Sequence, residues 1–518
     1  MSEHKGRVLR QTHSLCPACL RRVPASYVDG GDGQVFMEKC CPEHGAFRTP
    51  AWQAGTDGTV PEFSAWQRLK LPSYPAVPVT TSRDGCPYDC GLCPEHAQHT
   101  CTGLVEVTAR CDLCCPVCYA DAGRQDVPAD PPLEVLRRQL CALRAQAGNC
   151  NVQLSGGEPT VREDLPRIVA LAREQGFGLV QCNTNGLRLG REEGYAARLA
   201  AAGLDSVYLQ WDGMRGDICR VLRGRDILEQ KKAALRACAA AGIGVVLVCT
   251  VVRGVNDDAL GELLRWAVAQ GSAVRGLHMQ PVSSFGRFPW SLAESPRLTL
   301  PELMRLLEEQ GGGMVQAAHF HPPGCEHALC SCSAVYCREE ADGGSRLVFQ
   351  GEEAPCCGPW DPAPPQAEEG ARKAKAFVAR HWRAPEQDGT CPAVPESAVE
   401  PRGMAAPQGS VGPQALVGPD GVVGAVGAGQ AGTVPAVQAS PPAVGAQAQR
   451  DFAGFLAASG ARRRFTLSAM AFQDALNLDV ERVRGCCIHV MTAQGRRIPF
   501  CLYNLTAQDG TPLYRERG

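Results

Sequence analysis

The sequence lacks a strong excess of either charge. Its 52 Lys and Arg residues face 54 Asp and Glu residues, which gives a formal net charge of −2. Proteins whose main partner is a nucleic-acid backbone or an anionic membrane surface usually carry a basic excess, because phosphates attract cations. We therefore expect neither kind of surface as the main partner.

Long hydrophobic segments are missing as well. The opening segment MSEHKGRVLRQTHSL contains no apolar run of the kind that secretory signals carry. The longest uncharged apolar run, from Cys238 to Val252, falls short of the ~18 residues that a transmembrane helix needs. We expect a cytoplasmic protein with no transmembrane segment, in which thiols stay reduced and clustered cysteines bind metal rather than pair.

Cysteine, by contrast, is abundant, with 28 among 518 residues. A chain of this length does not need a disulfide framework, because it can bury a substantial core. The cysteines concentrate in five segments, at 16–41, 86–101, 111–118, 325–357 and 486–501. Such grouping predicts metal or iron–sulfur sites.

Between the third and fourth cysteine segments, short β-rich runs alternate with helical patterns. The runs lie at 104–109, 151–157, 178–186, 206–213, 245–252 and 275–282. Six repeated βα units predict an α/β fold, a parallel sheet curved into an open, partial (βα)6 TIM-type barrel. Functional residues of such a sheet lie at the carboxyl ends of its strands, which here carry SGGEP, NTNG, QWDG and RGVND.

A compact cysteine motif follows the first predicted strand. Cys111, Cys115 and Cys118 have the spacing Cys-x3-Cys-x2-Cys. Three thiolates on one loop can hold three corners of a [4Fe–4S] cluster and leave the fourth iron open to a ligand. Cys114 offers a second spacing with Cys118, but the first triplet fits better. A ferredoxin-like electron-transfer cluster and a zinc knuckle are the alternatives.

This motif, with Tyr119 after its third cysteine, resembles the signature of the radical S-adenosylmethionine (SAM) superfamily. Gly156-Gly157-Glu158-Pro159, at the end of the second predicted strand, resembles the GGEP motif of that superfamily. The resemblance implies that this segment binds the amino group of SAM. It also implies that the reduced cluster cleaves SAM to methionine and a 5′-deoxyadenosyl radical, which removes a hydrogen atom from an unactivated C–H bond.

Four polar residues end the third and fourth predicted strands, namely Asn183, Asn185, Gln210 and Asp212. The resemblance implies that they contact the ribose or carboxylate of SAM, or the substrate. Asn and Asp also cap helices routinely, so the alternative is that these residues only cap the helices that follow.

A second Cys-x3-Cys-x2-Cys precedes the first predicted strand, formed by Cys86, Cys90 and Cys93. Cys101 follows it and supplies a fourth thiolate. The sequence therefore predicts a closed auxiliary [4Fe–4S] cluster held by these four cysteines. Structural zinc is the alternative.

Nearer the start of the chain, the knuckles CPAC and CPEH contain Cys16, Cys19, Cys41 and His44. Their spacing predicts a mononuclear site, with either rubredoxin-like iron or zinc bound by three cysteines and a histidine. Cys40 beside Cys41 leaves the third thiolate ambiguous, and His44 has the alternative role of capping a turn.

The remaining grouped cysteines predict a further cluster, assembled from both ends of the C-terminal third. They are Cys325, Cys330, Cys332, Cys337, Cys356, Cys357, Cys486, Cys487 and Cys501. We name Cys325, Cys487 and Cys501 as candidate metal ligands, although the spacing does not select four of the nine.

Composition divides the chain further. From Gly403 to Gln449 it contains Ala, Val, Gly, Pro and Gln with one charged residue and no cysteine, which predicts a disordered linker. After the linker, FTLSAMAFQDALNLDVERVRGCC predicts a short helix that leads into a small module. The expected domains are a Cys-rich module at 1–60, an auxiliary cluster segment at 80–102, the core at 103–315, a Cys-rich region at 316–385, the linker at 386–450 and a cluster module at 451–518.

The motifs together resemble a narrower group, the tetraether lipid synthase-like radical SAM proteins, which includes dihydropterin methyltransferases and the TrsS-type (seleno)proteins. CPAC…CPEHG, GCPYDCGLCPEHAQHTC, QWDG and CCIHV…IPFCLYN carry this resemblance. It implies C–C coupling of lipid chains or methylation of a pterin, with a ferredoxin or flavodoxin as the electron donor. The alternative, from another class, is a multi-cluster electron carrier without turnover.

Overall fold

The computed structural model describes residues 6–75, 78–124, 127–341, 344–350, 364–384 and 464–515. These residues belong to one unit, made of Met1–Pro385 and Gly460–Gly518. The predicted linker lies outside the described residues, as do Cys356 and Cys357.

Residues 8–53, which carry the CPAC and CPEH knuckles, form a separate antiparallel sheet. Its four strands pair in chain order and are β1 (Val8–Leu15), β2 (Arg22–Gly31), β3 (Gln34–Cys41) and β4 (Gly45–Gln53). Tyr27 of β2, Met37 of β3 and Trp52 of β4 are each about 1% exposed and belong to one hydrophobic cluster, so their side chains share the buried face of the sheet. The short helix α1 (Phe63–Trp66) packs both of its aromatic rings against that face.

Six parallel strands make the centre of a second sheet of eleven strands. They are β5 (Thr102–Thr108), β6 (Asn151–Gly156), β7 (Val180–Thr184), β8 (Ser206–Gln210), β9 (Gly244–Val251) and β10 (Val274–Pro281). Each strand pairs with the next one in parallel register. The sheet does not close, which confirms the predicted partial barrel.

Helices connect these strands and cover the outer face of the sheet. They are α2 (Leu133–Ala147), α3 (Leu165–Glu174), α4 (Leu187–Arg191), α5 (Tyr195–Ala201), α6 (Gly216–Arg223), α7 (Leu228–Ala240), α8 (Leu260–Ala269) and α9 (Leu300–Gln310). The sequence shows why α9 begins where it does, because Thr299 and Glu302 form a reciprocal capping box at its first turn.

The C-terminal third adds strands to both edges of this sheet. They are β11 (Ser331–Ala341), β12 (Gly344–Phe349), β13 (Arg464–Met470), β14 (Ile488–Met491) and β15 (Arg497–Pro499). β13 runs parallel beside β10, and β14 runs parallel beside β5. Residues after the linker therefore extend the core sheet instead of forming a module apart from it.

The segment FTLSAMAFQDALNLDVERVRGCC, predicted to form a short helix, contains one just before Cys486 but begins with a strand. Residues 464–470 form the strand β13, because Phe465, Leu467 and Ala469 alternate with more exposed residues and pack into the barrel core. The two helices of this segment come later and are short, α11 (Val480–Arg484) and α12 (Phe500–Tyr503).

One more helix, α10 (Ala367–His381), crosses the amino ends of the barrel strands. The Cys101 thiol, just before β5, donates to the Ala371 carbonyl at 3.8 Å. At the other end of α10, Arg275 Nε donates to the His381 carbonyl at 2.8 Å. A side chain at Gly244 would collide with the Trp382 carbonyl, so β9 requires glycine at this close approach. The helix thus covers the amino end of the barrel.

Among the residues that the structure describes, we find no helix with the length and apolar character that spanning a bilayer requires.

Candidate active site

The interior of the partial barrel is a single cavity of about 1280 Å³. Cys111, Cys115 and Cys118 line it where the strands end, together with the Gly156-Gly157-Glu158 segment. Cys101 and Cys325 line it at the opposite end, where the strands begin. The cavity therefore contacts two separate groups of cysteines.

The loop that carries Cys111, Cys115 and Cys118 is attached to the segment after β10. Cys118 and Arg287 exchange two backbone hydrogen bonds of 2.9 Å, and Arg287 Nε donates to the Cys115 carbonyl at 2.8 Å. Gly286 has a φ of +54°, and a side chain there would lie 2.6 Å from the Cys118 carbonyl oxygen. These contacts hold the three thiols at the carboxyl end of the barrel.

A buried ion pair supports the same loop from the barrel wall. The Arg223 guanidinium donates twice to the Asp212 carboxylate at 2.7 Å, and Arg223 Nη1 donates to the Val117 carbonyl at 3.2 Å. Burial raises the pKa of the Cys115 thiol, and the Arg223 charge opposes that rise. Sequence reasoning missed Arg223, because only the tertiary fold brings α6 beside the cysteine loop.

Burial also raises the pKa of Cys111, to about 12. A thiol binds iron as the thiolate, so the metal must displace this proton. Leu113 N donates to the Cys111 sulfur at 3.4 Å, which adds one backbone dipole that stabilises the thiolate. The three thiols are partly exposed and line the cavity together with the charged residues Arg223 and Glu158.

The GGEP segment brings the ends of β5 and β6 together. Side chains at Gly156 and Gly157 would collide with the carbonyl oxygens of Thr108 and Arg110, so the close approach requires glycine at both positions. Pro159 follows as the first residue of a 3-10 turn.

Both carboxylate oxygens of Glu158 accept hydrogen bonds from protein donors. Its Oε1 accepts from Thr160 N at 3.0 Å and from Thr184 Oγ1 at 2.7 Å, and its Oε2 accepts from Asn185 N at 2.6 Å. Burial raises its pKa, and these donors oppose the rise. Glu158 therefore joins the ends of β6 and β7, and a contact of this residue with SAM stays a prediction.

Asn183 and Tyr119 line the cavity and both contact Ser155. Asn183 Nδ2 donates to Ser155 Oγ at 3.3 Å, and the Tyr119 hydroxyl lies 2.9 Å from the same oxygen. Asn183 Oδ1 is buried and has no hydrogen-bond partner among the described residues. This oxygen, on a residue predicted to contact SAM or the substrate, is therefore an acceptor free to bind a ligand.

The other three polar residues bind the protein itself. Asn185 Oδ1 accepts from Leu187 N at 2.9 Å, at the first residue of α4, and its Nδ2 donates to Asp112 at 2.7 Å. Gln210 lines the cavity, but its Oε1 accepts from Lys231 Nζ at 2.8 Å. Asp212 is fully buried against Arg223. Asn185 thus binds the first backbone N–H of α4, and a contact of these residues with SAM or the substrate stays a prediction.

The N-terminal knuckles bring four ligand atoms together. Those of Cys16, Cys19, Cys41 and His44 lie within 4.8 Å of one another, whereas Cys40 is exposed beside them. A hydrogen bond from His44 is the largest of the effects that lower the pKa of Cys41 to about 6. The geometry therefore favours Cys41 over Cys40 as the third thiolate and keeps His44 in the set.

The expected set of Cys86, Cys90, Cys93 and Cys101 is not the one that the fold assembles at Cys101. The Cys101 sulfur lies 2.7 Å from that of Cys325, which lies 2.9 Å from that of Cys487. Cys101 N donates to the Cys487 carbonyl at 2.8 Å because β14 pairs with β5. Pairing between strands so distant in sequence leaves no signal in the local spacing.

The first three of those cysteines remain together in one loop. All are buried, and contact with Cys86 is the largest effect that raises the pKa of Cys90. The Asp89 carboxylate shapes the loop by accepting from the backbone N–H groups of residues 83, 84 and 85 at 2.6 to 2.8 Å.

Cys501, the third ligand candidate from the C-terminal third, lies outside the two sets of ligand atoms that the described residues bring within 4.8 Å of one another. It is buried, and its sulfur accepts from Gln473 N at 3.3 Å. Burial raises the pKa of Cys486, and the charges of Cys501 and Cys330 raise it further. A role of Cys501 as a metal ligand stays a prediction.

Comparisons with known proteins agree with this architecture. Residues 105–267 match the Radical SAM superfamily, and residues 8–53 match the HMPTM N-terminal zinc ribbon domain. The "7,8-dihydro-6-hydroxymethylpterin dimethyltransferase" of Methanocaldococcus jannaschii is 33% identical over 506 residues, which cover 96% of this chain and 93% of that protein.

Other matches cover a smaller share of this chain. The GTP 3′,8-cyclase of Heliobacterium modesticaldum is 32% identical over 213 residues, 40% of this chain and 62% of that protein. Among solved structures, SuiB of Streptococcus suis bound to S-adenosylmethionine is 14% identical and covers 41% of this chain and 47% of that one, with a TM-score of 0.34. On its full-length match, the chain is a radical SAM enzyme and belongs to the family of the Methanocaldococcus protein.

Proposed function

We propose that this radical SAM enzyme methylates a ring carbon of a reduced pterin. The observation that carries the proposal is the full-length likeness to a protein whose name gives it as a dimethyltransferase of 7,8-dihydro-6-hydroxymethylpterin. The likeness spans 96% of the chain, so it includes the zinc ribbon and the outer strands as well as the core. The substrate of the relative is thus the first to test.

The aromatic side chains that line the cavity favour a flat substrate. The rings of Tyr208 and His278 stack with centroids 5.6 Å apart, and the Trp382 ring lies 5.2 Å from that of Tyr208. Burial lowers the pKa of His278 to about 4, so its ring is neutral at physiological pH. Neutral aromatic faces bind planar heterocycles by stacking. Trp382 Nε1 is buried without a partner among the described residues, and a pterin carbonyl can accept its hydrogen bond.

The residues at the carboxyl end of the barrel fit the cofactors of this superfamily. Cys111, Cys115 and Cys118 present three partly exposed thiols to the cavity, and Asn183 Oδ1 is an unused acceptor beside them. With a [4Fe–4S] cluster and SAM bound, the site supplies reductive cleavage of SAM and removal of a hydrogen atom from a C–H bond. Arg223 and Arg287 hold the cysteine loop, and the aromatic wall excludes water from the substrate face.

The size of the cavity favours one second candidate, coupling of lipid chains. Its volume of about 1280 Å³ exceeds the roughly 300–1,000 Å³ of most small-molecule sites. Such a space can hold a pterin together with SAM, or SAM together with two apolar chains. The two candidates differ in product, so one assay separates them.

The test is turnover by the anaerobically reconstituted chain with dithionite, or with a ferredoxin or flavodoxin as the electron donor. One reaction contains 7,8-dihydro-6-hydroxymethylpterin and the other an isoprenoid phospholipid. We expect 5′-deoxyadenosine together with a methylated pterin in the first reaction, both detected by mass spectrometry. Methyl-labelled SAM shows whether SAM supplies the methyl group.

A cysteine variant outside every group serves as the matched control. Cys141 is exposed on α2, so Cys141→Ala keeps both the clusters and the product. A coupled lipid product with unchanged pterin would replace the proposed function with the second candidate. Deoxyadenosine without either product would exclude both substrates.

A further inference from the structure

Basic side chains line the cavity beside α10. Arg372 and Arg380 on that helix are exposed, Lys375 between them is partly exposed, and Arg464 is the first residue of β13. Because exposed residues line a cavity where it opens to solvent, this set marks its mouth at the amino end of the barrel. We call Arg372, Lys375, Arg380 and Arg464 the mouth cations.

The charge at the mouth differs from the charge at the other end of the cavity. At the carboxyl end, Arg223 is paired with Asp212, and Glu158 accepts hydrogen bonds from protein donors. At the amino end, Glu326 is the one carboxyl group among the cavity-lining residues that the structure describes. The cations that line this end outnumber it, so the mouth favours an anionic ligand.

A buried histidine shows that the mouth cations act on a common point. His381 follows Arg380 at the end of α10, and Arg464 Nη1 lies 2.9 Å from His381 Nε2. Burial lowers the pKa of His381 to about 3, and the charges of Arg464 and Arg380 contribute to the lowering. Cations so close repel one another, and an anion bound between them would offset that repulsion.

The residue types favour phosphate as the anion. Three of the four mouth cations are arginines, whose planar guanidinium presents paired N–H donors that match two phosphate oxygens. Arg372 and Arg380 are separated by eight positions on one helix, about 12 Å at 1.5 Å per residue, so their long side chains can approach a group between them. A phosphate or diphosphate also balances more positive charge than one carboxylate does.

The mouth cations adjoin the aromatic side chains that favour a flat substrate. Trp382 directly follows α10, and its ring lies 5.2 Å from that of Tyr208. Both rings line the cavity that leads to Cys111 at the carboxyl ends of the strands. One molecule can therefore place a ring against the aromatic faces and a charged substituent at the mouth.

We propose that the mouth cations bind a phosphate group carried by the substrate. The proposal rests on the proposed function in one respect, because the hydroxymethyl group of the relative's pterin is an alcohol that can carry a phosphate ester. The headgroup of a phospholipid offers the same chemistry, and the experiment separates the two sources. The phosphate is held by charge and hydrogen bonds alone, so its binding consumes no further reactant.

The first test compares a phosphate ester with its parent alcohol. The anaerobically reconstituted chain is titrated calorimetrically with 7,8-dihydro-6-hydroxymethylpterin and with its diphosphate ester. We expect the ester to bind about tenfold more tightly at low salt, because hydrogen bonds to charged groups add to its affinity. The ratio is expected to fall as salt rises, since ions screen exposed charges.

A parallel titration tests the lipid source. It compares an isoprenoid phospholipid with the matching lipid alcohol that lacks the phosphate, both in the same neutral detergent. Tighter binding of the phospholipid, without a preference between the two pterins, assigns the phosphate to a lipid headgroup and supports the proposal. Equal affinities within both pairs overturn it.

Arginine variants test whether the mouth cations cause the preference. Arg372→Gln and Arg380→Gln are each expected to reduce the preference for the phosphate about threefold, and the two together are expected to remove it. Arg236→Gln is the matched control, because Arg236 is exposed on α7 outside the cavity lining. An unchanged preference in the double variant overturns the proposal. The iron content of each variant shows whether its clusters are intact.

Turnover separates this proposal from the proposed function. Methylated product from the pterin alcohol and from its ester with equal KM, together with equal affinities in both titrations, overturns the phosphate site alone. If neither pterin is methylated, the proposed function is wrong. The phospholipid titration and the arginine variants then still decide whether the mouth cations bind phosphate.

Discussion

Two groups of cysteines face one cavity, and they are built in opposite ways. Cys111, Cys115 and Cys118 stand on one loop and are partly exposed, whereas Cys101, Cys325 and Cys487 come from three distant segments and are buried. The position of the loop thiols is set by the contacts of Arg287 and Arg223 with the loop backbone. The second group exists only if β14 pairs with β5 and Cys325 lies beside Cys101 and Cys487. A local group therefore depends on spacing, and an assembled group depends on the whole sheet.

The largest effect separates the two groups by function. Changing Cys111, Cys115 and Cys118 together to Ala is expected to abolish formation of 5′-deoxyadenosine, because the open iron that binds SAM is lost. Changing Cys101, Cys325 and Cys487 together to Ser is expected to leave this cleavage measurable, because none of them belongs to the loop that carries Cys111, Cys115 and Cys118. Chromatography of deoxyadenosine measures the cleavage in both variants. If the Ser variant also loses SAM cleavage, the buried group is required for the SAM reaction as well.

The same contrast explains what the sequence could predict. The spacing of the SAM loop and the six βα runs is local, so the open barrel and the first cysteine group can be predicted from the order of residues alone. Proximity in sequence groups Cys101 with Cys86, Cys90 and Cys93, whereas the fold places Cys101 beside Cys325 and Cys487. The strand β13 escapes prediction for a related reason, since its partner β10 precedes it by almost two hundred residues in the numbering.

The next effect concerns the anchor of the local group, Arg223. Replacing it by Met leaves the Asp212 carboxylate buried without its partner, which we expect to cost about 3–5 kcal/mol in the free energy of unfolding. Urea unfolding of the metal-free chain measures the loss. The loop also loses its contact at the Val117 carbonyl, so the EPR signal of the reconstituted cluster is expected to broaden.

The control for Arg223 lies on the same helix. Arg220 is exposed and pairs with Asp226 at 3.4 Å, so Arg220→Met is expected to cost less than about 1 kcal/mol. Adding Asp212→Leu to Arg223→Met removes the unpaired charge and is expected to recover part of the stability. Equal losses for the two arginines would show that the buried pair does not hold the loop.

A smaller effect tests how the group of Cys101, Cys325 and Cys487 is assembled. Arg497 Nη1 donates to Thr100 Oγ1 at 2.9 Å, and Arg497 Nε donates to Gln146 at 3.0 Å, so it ties β15 to the residue before Cys101. Burial lowers the pKa of Arg497 to about 10, yet its side chain stays charged at neutral pH. We expect Arg497→Met to cost about 1–3 kcal/mol in the free energy of unfolding and to lower the metal content of that group without affecting SAM cleavage. Metal analysis beside the deoxyadenosine assay checks this, and equal loss at both groups would contradict it.

The smallest effect distinguishes Asn183, near the end of β7, from Asn185, which directly follows that strand. Asn183 Oδ1 is unused, so Asn183→Ala is expected to weaken SAM binding by roughly 0.5–1.5 kcal/mol, up to about tenfold in Kd, with little change in stability. Asn185 bonds Leu187 and Asp112, so Asn185→Ala is expected to lower the free energy of unfolding by about 1 kcal/mol and leave the affinity nearly unchanged. Calorimetric titration with SAM and urea unfolding of both variants measure the two quantities. If Asn183→Ala changed stability alone, its oxygen would face the substrate or water, and the local group would bind SAM without this strand end.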